Sequence, residues 1–178
     1  HDARGLVAIA HPTLTQLADE IGEAAGLSVP DDRTVHYIDQ VDSPNPVQVR
    51  DWTGSRVPMH AVSSGQVFLA HLAPPALARF LAEPLEGFTA STLTDAGALI
   101  ERLRDVRREG HAWVHDEFAE GIASVAAPIA GPDGEIVAAV HVHGPTYRFP
   151  LQGTEAAIAG SVRAAAAWIG TRLRGGAG

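Results

Sequence analysis

Three short patterns in this chain bring donor atoms together at spacings that could do chemistry. His141-Val142-His143 sets two imidazoles at i and i+2. On a strand both rings would stand on one face and Val142 on the other. An imidazole with an ordinary pKa of about 6.5 can donate, accept, pair with a carboxylate as a cation, or ligate a metal. Ser63-Ser64-Gly65 is a run of small residues at the expected start of a helix, where free backbone N–H groups let an anion approach closely. Asp116-Glu117 sets two carboxylates side by side, which also suits a solvated turn.

Each pattern has a plainer reading. The two histidines could contact a bound acid, hold a metal with a third ligand such as His60 or His115, or simply hydrogen-bond within the fold. Ser63 and Ser64 could be small for close packing, and His60 could be a structural hydrogen-bonder. If the pair meets an acid as cations, affinity should rise as pH falls toward 6.

The rest of the chain excludes much. Cys and Lys are both absent, which removes disulfides, thiolate chemistry, Schiff bases and the phosphate-loop lysine. No nucleophile elbow, dinucleotide fingerprint or H-E-x-x-H motif occurs. Catalysis is therefore not expected. The 13 cationic residues are all Arg and stand against 21 acidic ones, for a net charge of −8. That balance argues against a nucleic-acid surface. Nothing approaches the roughly 18 to 20 apolar residues of a membrane span. With 178 residues and 46% apolar composition, one domain with a real core is expected over 1–178.

These residues need elements to position them. Periodic apolar residues predict a helix over about 3–25, kinked at Pro12 and left at Gly22 or Gly26. Strands are predicted at 27–29, 34–41 and 47–52, the last after the breaker Pro44-Asn45-Pro46. Helices follow at 60–72 and 74–81, then one capped by Thr94 or Asp95 and ended by Gly110, with Leu99, Leu103 and Val106 inward. Strands at 112–114, 122–130 and 136–143 come next, the last two joined by the turn Gly131-Pro132-Asp133-Gly134. A helix over 154–173 buries Ile158, Val162 and Ile169, and the tail 175–178 is expected to be disordered. Short-loop strand groups beside helices predict an α+β fold with largely antiparallel pairing.

In this order the motifs resemble the effector-binding domain of the IclR family of bacterial transcriptional regulators. The resemblance rests on Ala10-His11-Pro12 with Leu14, Leu17 and Gly22-Glu23, and on Val57-Pro58-Met59-His60-Ala61 followed by Gly65. It continues through Thr92-Leu93-Thr94-Asp95 to Arg107-Arg108-Glu109-Gly110. Asp116-Glu117, Gly121, Ala126-Ala127-Pro128-Ile129 and Asp133-Gly134 to Gly144-Pro145 complete it. It implies a GAF-like fold, a central antiparallel sheet flanked by helices, and a small-molecule effector, often an organic or aromatic acid. It also implies a cytoplasmic protein that pairs as dimer or tetramer and meets operator DNA only through an N-terminal winged helix-turn-helix, which does not precede Ala3 here. No cofactor or metal is implied.

Carried over by position, the resemblance sets the effector pocket at Val57, Ser63, Ser64, Val114, Ser124, His141 and His143, with Val47 or Pro46 closing one side. Two departures bear on the ligand. The family's Ser-x-Ser on the last strand is His141-Val142-His143, and its Lys after the helix glycine is Gln66. Self-association finds soft support in apolar Phe80, Leu81 and Leu85.

Overall fold

The computed structural model describes residues 2–47 and 50–176. Helix α1 (Ala3–Ile21) leads into strands β1 (Ala24–Asp31), β2 (Thr34–Val41) and β3 (Arg56–Pro58). One turn of 3-10 helix at Met59–Ala61 precedes helices α2 (Ser63–Ala70), α3 (Pro74–Leu81) and α4 (Ala96–Glu109). Strands β4 (Ala112–His115), β5 (Ile122–Ala130) and β6 (Ile136–Pro145) and helix α5 (Glu155–Gly175) complete the chain. This is the α+β architecture that the strand and helix patterning predicts. Among the described residues no helix is long and apolar enough to cross a membrane.

The six strands form one sheet in the order β3-β2-β1-β6-β5-β4, and every neighbouring pair is antiparallel. The two halves of the chain meet at its centre, where β1 pairs with β6 from Ala24↔His143 to Ser28↔Ala139. Strand alternation then assigns the faces. Leu27, Val125, Ile129, Val140 and Val142 point to one side, where Leu14 of α1 and Ile169 of α5 bury them completely. The other side is covered by α2 and α4, through Val67, Leu69 and Leu99. Each fully buried aliphatic side chain contributes roughly 1.5–3 kcal/mol.

Local chemistry sets the helix ends. Asp2 caps α1 by accepting from the Gly5 N–H at 2.7 Å, and Gly22 leaves it in the left-handed conformation, φ 82°. The helix thus ends before the predicted residue 25. It runs through Pro12, whose missing N–H would have met the carbonyl of Ala8; both residues are exposed, so water can serve that carbonyl. Asp95, not Thr94, caps α4 through the Ala98 N–H at 2.9 Å, and Gly110 ends it at φ 81°.

Four expectations differ from the structure. Strand β1 is longer than 27–29, because Ala24-Ala25-Gly26, unremarkable as strand formers, are held between β2 and β6. The strand predicted at 47–52 lies partly outside the described residues, at 48 and 49; residues 47 and 50–52 are not strand, and β3 forms instead at Arg56–Pro58. The helix predicted at 60–72 begins at Ser63, after an extended Val62. At the C-terminus Gly175 belongs to α5 and Gly176 caps it; residues 177 and 178 lie outside the described residues.

The late start of α2 has a steric cause. Its first turn backs onto the Met59–Ala61 turn so closely that a Cβ on Gly65 would lie 2.1 Å from the Met59 carbonyl oxygen. Backbone, not a movable side chain, occupies that space. Gly65→Ala should therefore destabilise the domain by about 3 kcal/mol, the upper end for overpacking, measured as a lowered urea midpoint at unchanged slope.

Candidate functional site

Beneath the N-terminus of α2, at one end of the sheet, lies a cavity of about 40 Å³, room for about three waters. Of the residues that the sequence nominates, Val57, Ser63, Val114, Ser124, His141 and His143 line it. Ser64 does not; it sits one residue along α2, and its Oγ is buried without a hydrogen-bond partner. Val47 does not close the cavity either. Its side chain is 58% exposed, while its carbonyl accepts from Arg148 Nη2 at 2.6 Å.

Aromatic residues complete the wall. Tyr37 of β2, Trp52 and Phe118 line the cavity. Ring centroids lie 6.4 Å apart for Tyr37–Trp52 and 5.7 Å for Trp52–Phe118. Tyr37 could have been nominated from sequence, since it alternates with buried Val35 on one face of β2. Trp52 and Phe118 sit in irregular segments, where no periodicity marks an inward side chain.

Helix α2 enters this site with its first turn free. Val62, at its N-cap position, has no side chain that can accept, so no side chain satisfies the leading N–H groups. Ser63 Oγ turns instead to Ser124 Oγ of β5, at 2.8 Å, fixing the start of the helix against the sheet. The geometry leaves a partial positive charge at the cavity roof.

The histidines form the floor. His141 and His143, 4% and 3% exposed, are stacked with centroids 5.2 Å apart, and His141 Nε2 lies 3.1 Å from His143 Nδ1. The outer nitrogens, His141 Nδ1 and His143 Nε2, are buried and make no well-formed hydrogen bond. The ring of His141 occupies space that Gly26 vacates on β1: a Cβ there would lie 2.2 Å from His141 Cε1. Tyr37 meets the same ring edge-on at 5.2 Å.

Burial, with the neighbouring His143, holds the His141 imidazole well below its ordinary value. Burial lowers His143 to about 4, against the opposing pull of the Arg50 backbone, Asp51 and Asp42. Burial likewise pushes the Tyr37 phenol up. Both imidazoles are thus neutral across the pH range 6–8, contrary to the cationic pairing expected from ordinary histidines.

The third ligands considered for a metal are elsewhere. His60 Nε2 donates to the Glu86 carbonyl at 2.7 Å, and exposed His115 stacks on Trp113. Among the described residues no group of three or more His, Asp or Glu is arranged to hold a metal ion.

One ion pair positions the roof against the wall. Glu117, 5% exposed, accepts from Arg102 Nη1 of α4 at 2.9 Å and from Gln66 Nε2 of α2 at 3.2 Å, next to Phe118. Asp116-Glu117 is therefore not a solvated turn at Glu117. Gln66, where the resemblance led us to look for Lys, spans Glu117 and the His60 carbonyl, while Arg102 supplies the charge.

The chain matches the family model described as bacterial transcriptional regulator IclR C-terminal over residues 2–171. It is 37% identical over 165 residues to an HTH-type transcriptional regulator of Mycobacterium tuberculosis, covering 93% of this chain and 61% of that protein. It is 34% identical over 149 residues to the transcriptional repressor IclR of Escherichia coli, covering 82% and 54%. Among solved structures it resembles the Thermotoga maritima IclR, with a TM-score of 0.89, 26% identity and coverage of 95% and 68%. It also resembles an IclR homolog from Microbacterium hydrocarbonoxydans complexed with 4-hydroxybenzoate, with a TM-score of 0.87, 27% identity and coverage of 98% and 70%. The chain thus spans little more than half the length of these two curated relatives, which are transcriptional regulators.

Two outcomes follow from the buried groups. Arg102→Met strands the Glu117 carboxylate and should cost about 3 kcal/mol in urea unfolding; adding Glu117→Gln should recover most of it. The histidines make stability pH-dependent with a definite sign. Above pH 6.5 both states are neutral and nothing is lost. Between 6.5 and about 4 the unfolded chain binds protons that the folded chain refuses, so stability falls as pH falls. Urea titrations at pH 7 and pH 4.5 should show a larger loss for the native chain than for His141→Phe/His143→Phe.

Proposed function

The chain belongs to the IclR family of bacterial transcriptional regulators, as its C-terminal domain, and from that premise we propose that it is the effector-sensing part of a longer regulator whose ligand is a small organic acid. The observation that carries this reading is the set of unmet polar groups around one cavity. The free first turn of α2 offers N–H donors, while His141 and His143 hold unpaired ring nitrogens. Buried polar atoms without partners are costly, and a ligand that satisfies them recovers that cost on binding. An anion suits the helix end. The residues that meet it are those nominated from sequence and lining the cavity: Val57, Ser63, Val114, Ser124, His141 and His143, together with Tyr37, Trp52 and Phe118. The structural relative that holds 4-hydroxybenzoate supports an acid as the ligand class.

Operator contact belongs to the part of the regulator beyond these residues, as the HTH-type relative and the net charge of −8 both favour. The protein acts in the cytoplasm, as a sensor and not a catalyst. Self-association as dimer or tetramer is part of the same reading, through a surface other than the one first considered. Phe80 is buried beneath the Arg33 guanidinium, 4.0 Å from its ring, and Leu81 and Leu85 pack partly into the α2-side core. Trp168 on α5, 55% exposed, is a better candidate.

Carboxylates at about 1 mM, from glycolate to 4-hydroxybenzoate, test the effector reading. An acid bound at a hundred times its Kd adds about 2.7 kcal/mol and should raise the melting midpoint by roughly 5 °C or more. Affinity should stay flat between pH 8 and 6, since neither imidazole changes charge there. No shift with any acid in the series overturns the reading.

A further inference from the structure

A hydrogen bond between two ring nitrogens requires one to carry the proton and the other to be bare. His141 Nε2 and His143 Nδ1, 3.1 Å apart, are such a pair. A neutral imidazole has one protonated and one bare nitrogen, so the choice at the shared contact fixes the outer atoms as well. If His141 Nε2–H donates, His141 Nδ1 is bare and His143 Nε2 carries hydrogen. If His143 Nδ1–H donates, the two outer roles exchange. In either arrangement the pair shows one donor and one acceptor outward. Two donors would require a buried cation, and two acceptors would break the contact.

The surroundings favour the first arrangement. The backbone of Arg50 acts on His143 as a hydrogen-bond acceptor does, favouring a proton at its outer nitrogen. His141 Nδ1 is then a bare acceptor, buried among groups that do not donate to it. The charged groups that reach the pair are Asp42 and Asp51, on the segment beside His143; burial outweighs both.

A plain carboxylate supplies acceptors only. It can satisfy the N–H groups of α2 and His143 Nε2–H, but it leaves His141 Nδ1 unmet. A ligand that also carries a hydroxyl can donate to that nitrogen. We propose that the His141–His143 pair selects a hydroxycarboxylic acid, reading its hydroxyl as a donor while the start of α2 holds its carboxylate. The small cavity favours short acids, and a longer aromatic one requires Trp52 or Phe118 to move. This inference rests on the effector reading above and narrows it.

Matched acids that differ only in the hydroxyl test it: glycolate against acetate, lactate against propionate, and 4-hydroxybenzoate against benzoate, by calorimetry at pH 7.5. One recovered hydrogen bond at a buried nitrogen predicts at least tenfold tighter binding of the hydroxy acid in one or more pairs. In His141→Phe, whose ring fills the same space over Gly26, that preference should fall to within threefold while the plain acid keeps its affinity. Nitrogen-15 spectra of the imidazoles provide a readout that does not depend on the variant. Two bare and two protonated ring nitrogens are expected, before and after binding. Equal affinity within every pair overturns this inference alone, as does a preference that survives His141→Phe or a doubly protonated ring at pH 7.5. Failure of every acid to bind overturns the effector reading, and this inference with it.

Discussion

A sheet covered on both faces has little room for polar groups, and that constraint organises this fold. The face under α1 and α5 is filled by aliphatic side chains from β1, β5 and β6 at no measurable exposure. Strand alternation therefore sends the remaining residues of the same strands, Gly26, Ser124, His141 and His143, to the opposite face. There α2 and α4 cover only part of the sheet, and the polar residues gather where the cover thins. The pocket is thus a product of register: a one-residue slip of β6 would exchange Val140 and Val142 for the histidines and empty the α1–α5 core.

The imidazoles fit in that layer because their neighbours give way. Across β1, Gly26 contributes no side chain, and the ring of His141 lies in the gap. On the side of α2, the site is held by a chain of contacts that runs from Gln66 and Arg102 through Glu117 to the segment bearing Phe118. The roof and the aromatic wall are therefore tied through one buried carboxylate. An occupant that shifts Phe118 must also disturb the contacts of α2 and α4, which links the state of the pocket to the helices above it.

Much of this was legible in the sequence. Asp95 and Gly110 bound α4 because a side-chain cap and a left-handed glycine are local devices, written in neighbouring residues. The hairpin of β5 and β6 follows from its turn and its alternation. What escaped was set by distant partners. Ala24-Ala25-Gly26 is a strand because β2 and β6 pair with it, and it is small because His141 needs the space. The position of β3 depends on which residues can reach the edge at Val35. The shared proton of the two histidines could not be read from i and i+2 spacing alone, since it depends on ring orientation and on burial that leaves both uncharged.

The two outer strands of the sheet are also its shortest, three residues in β3 and four in β4. Each exposes too few free backbone groups to recruit another chain by continuing the ladder. Growth of the sheet into fibrils, or assembly by strand exchange, is thereby discouraged at both margins. Association between copies is left to helical surfaces, where side chains set the geometry and where a closed, countable assembly can form.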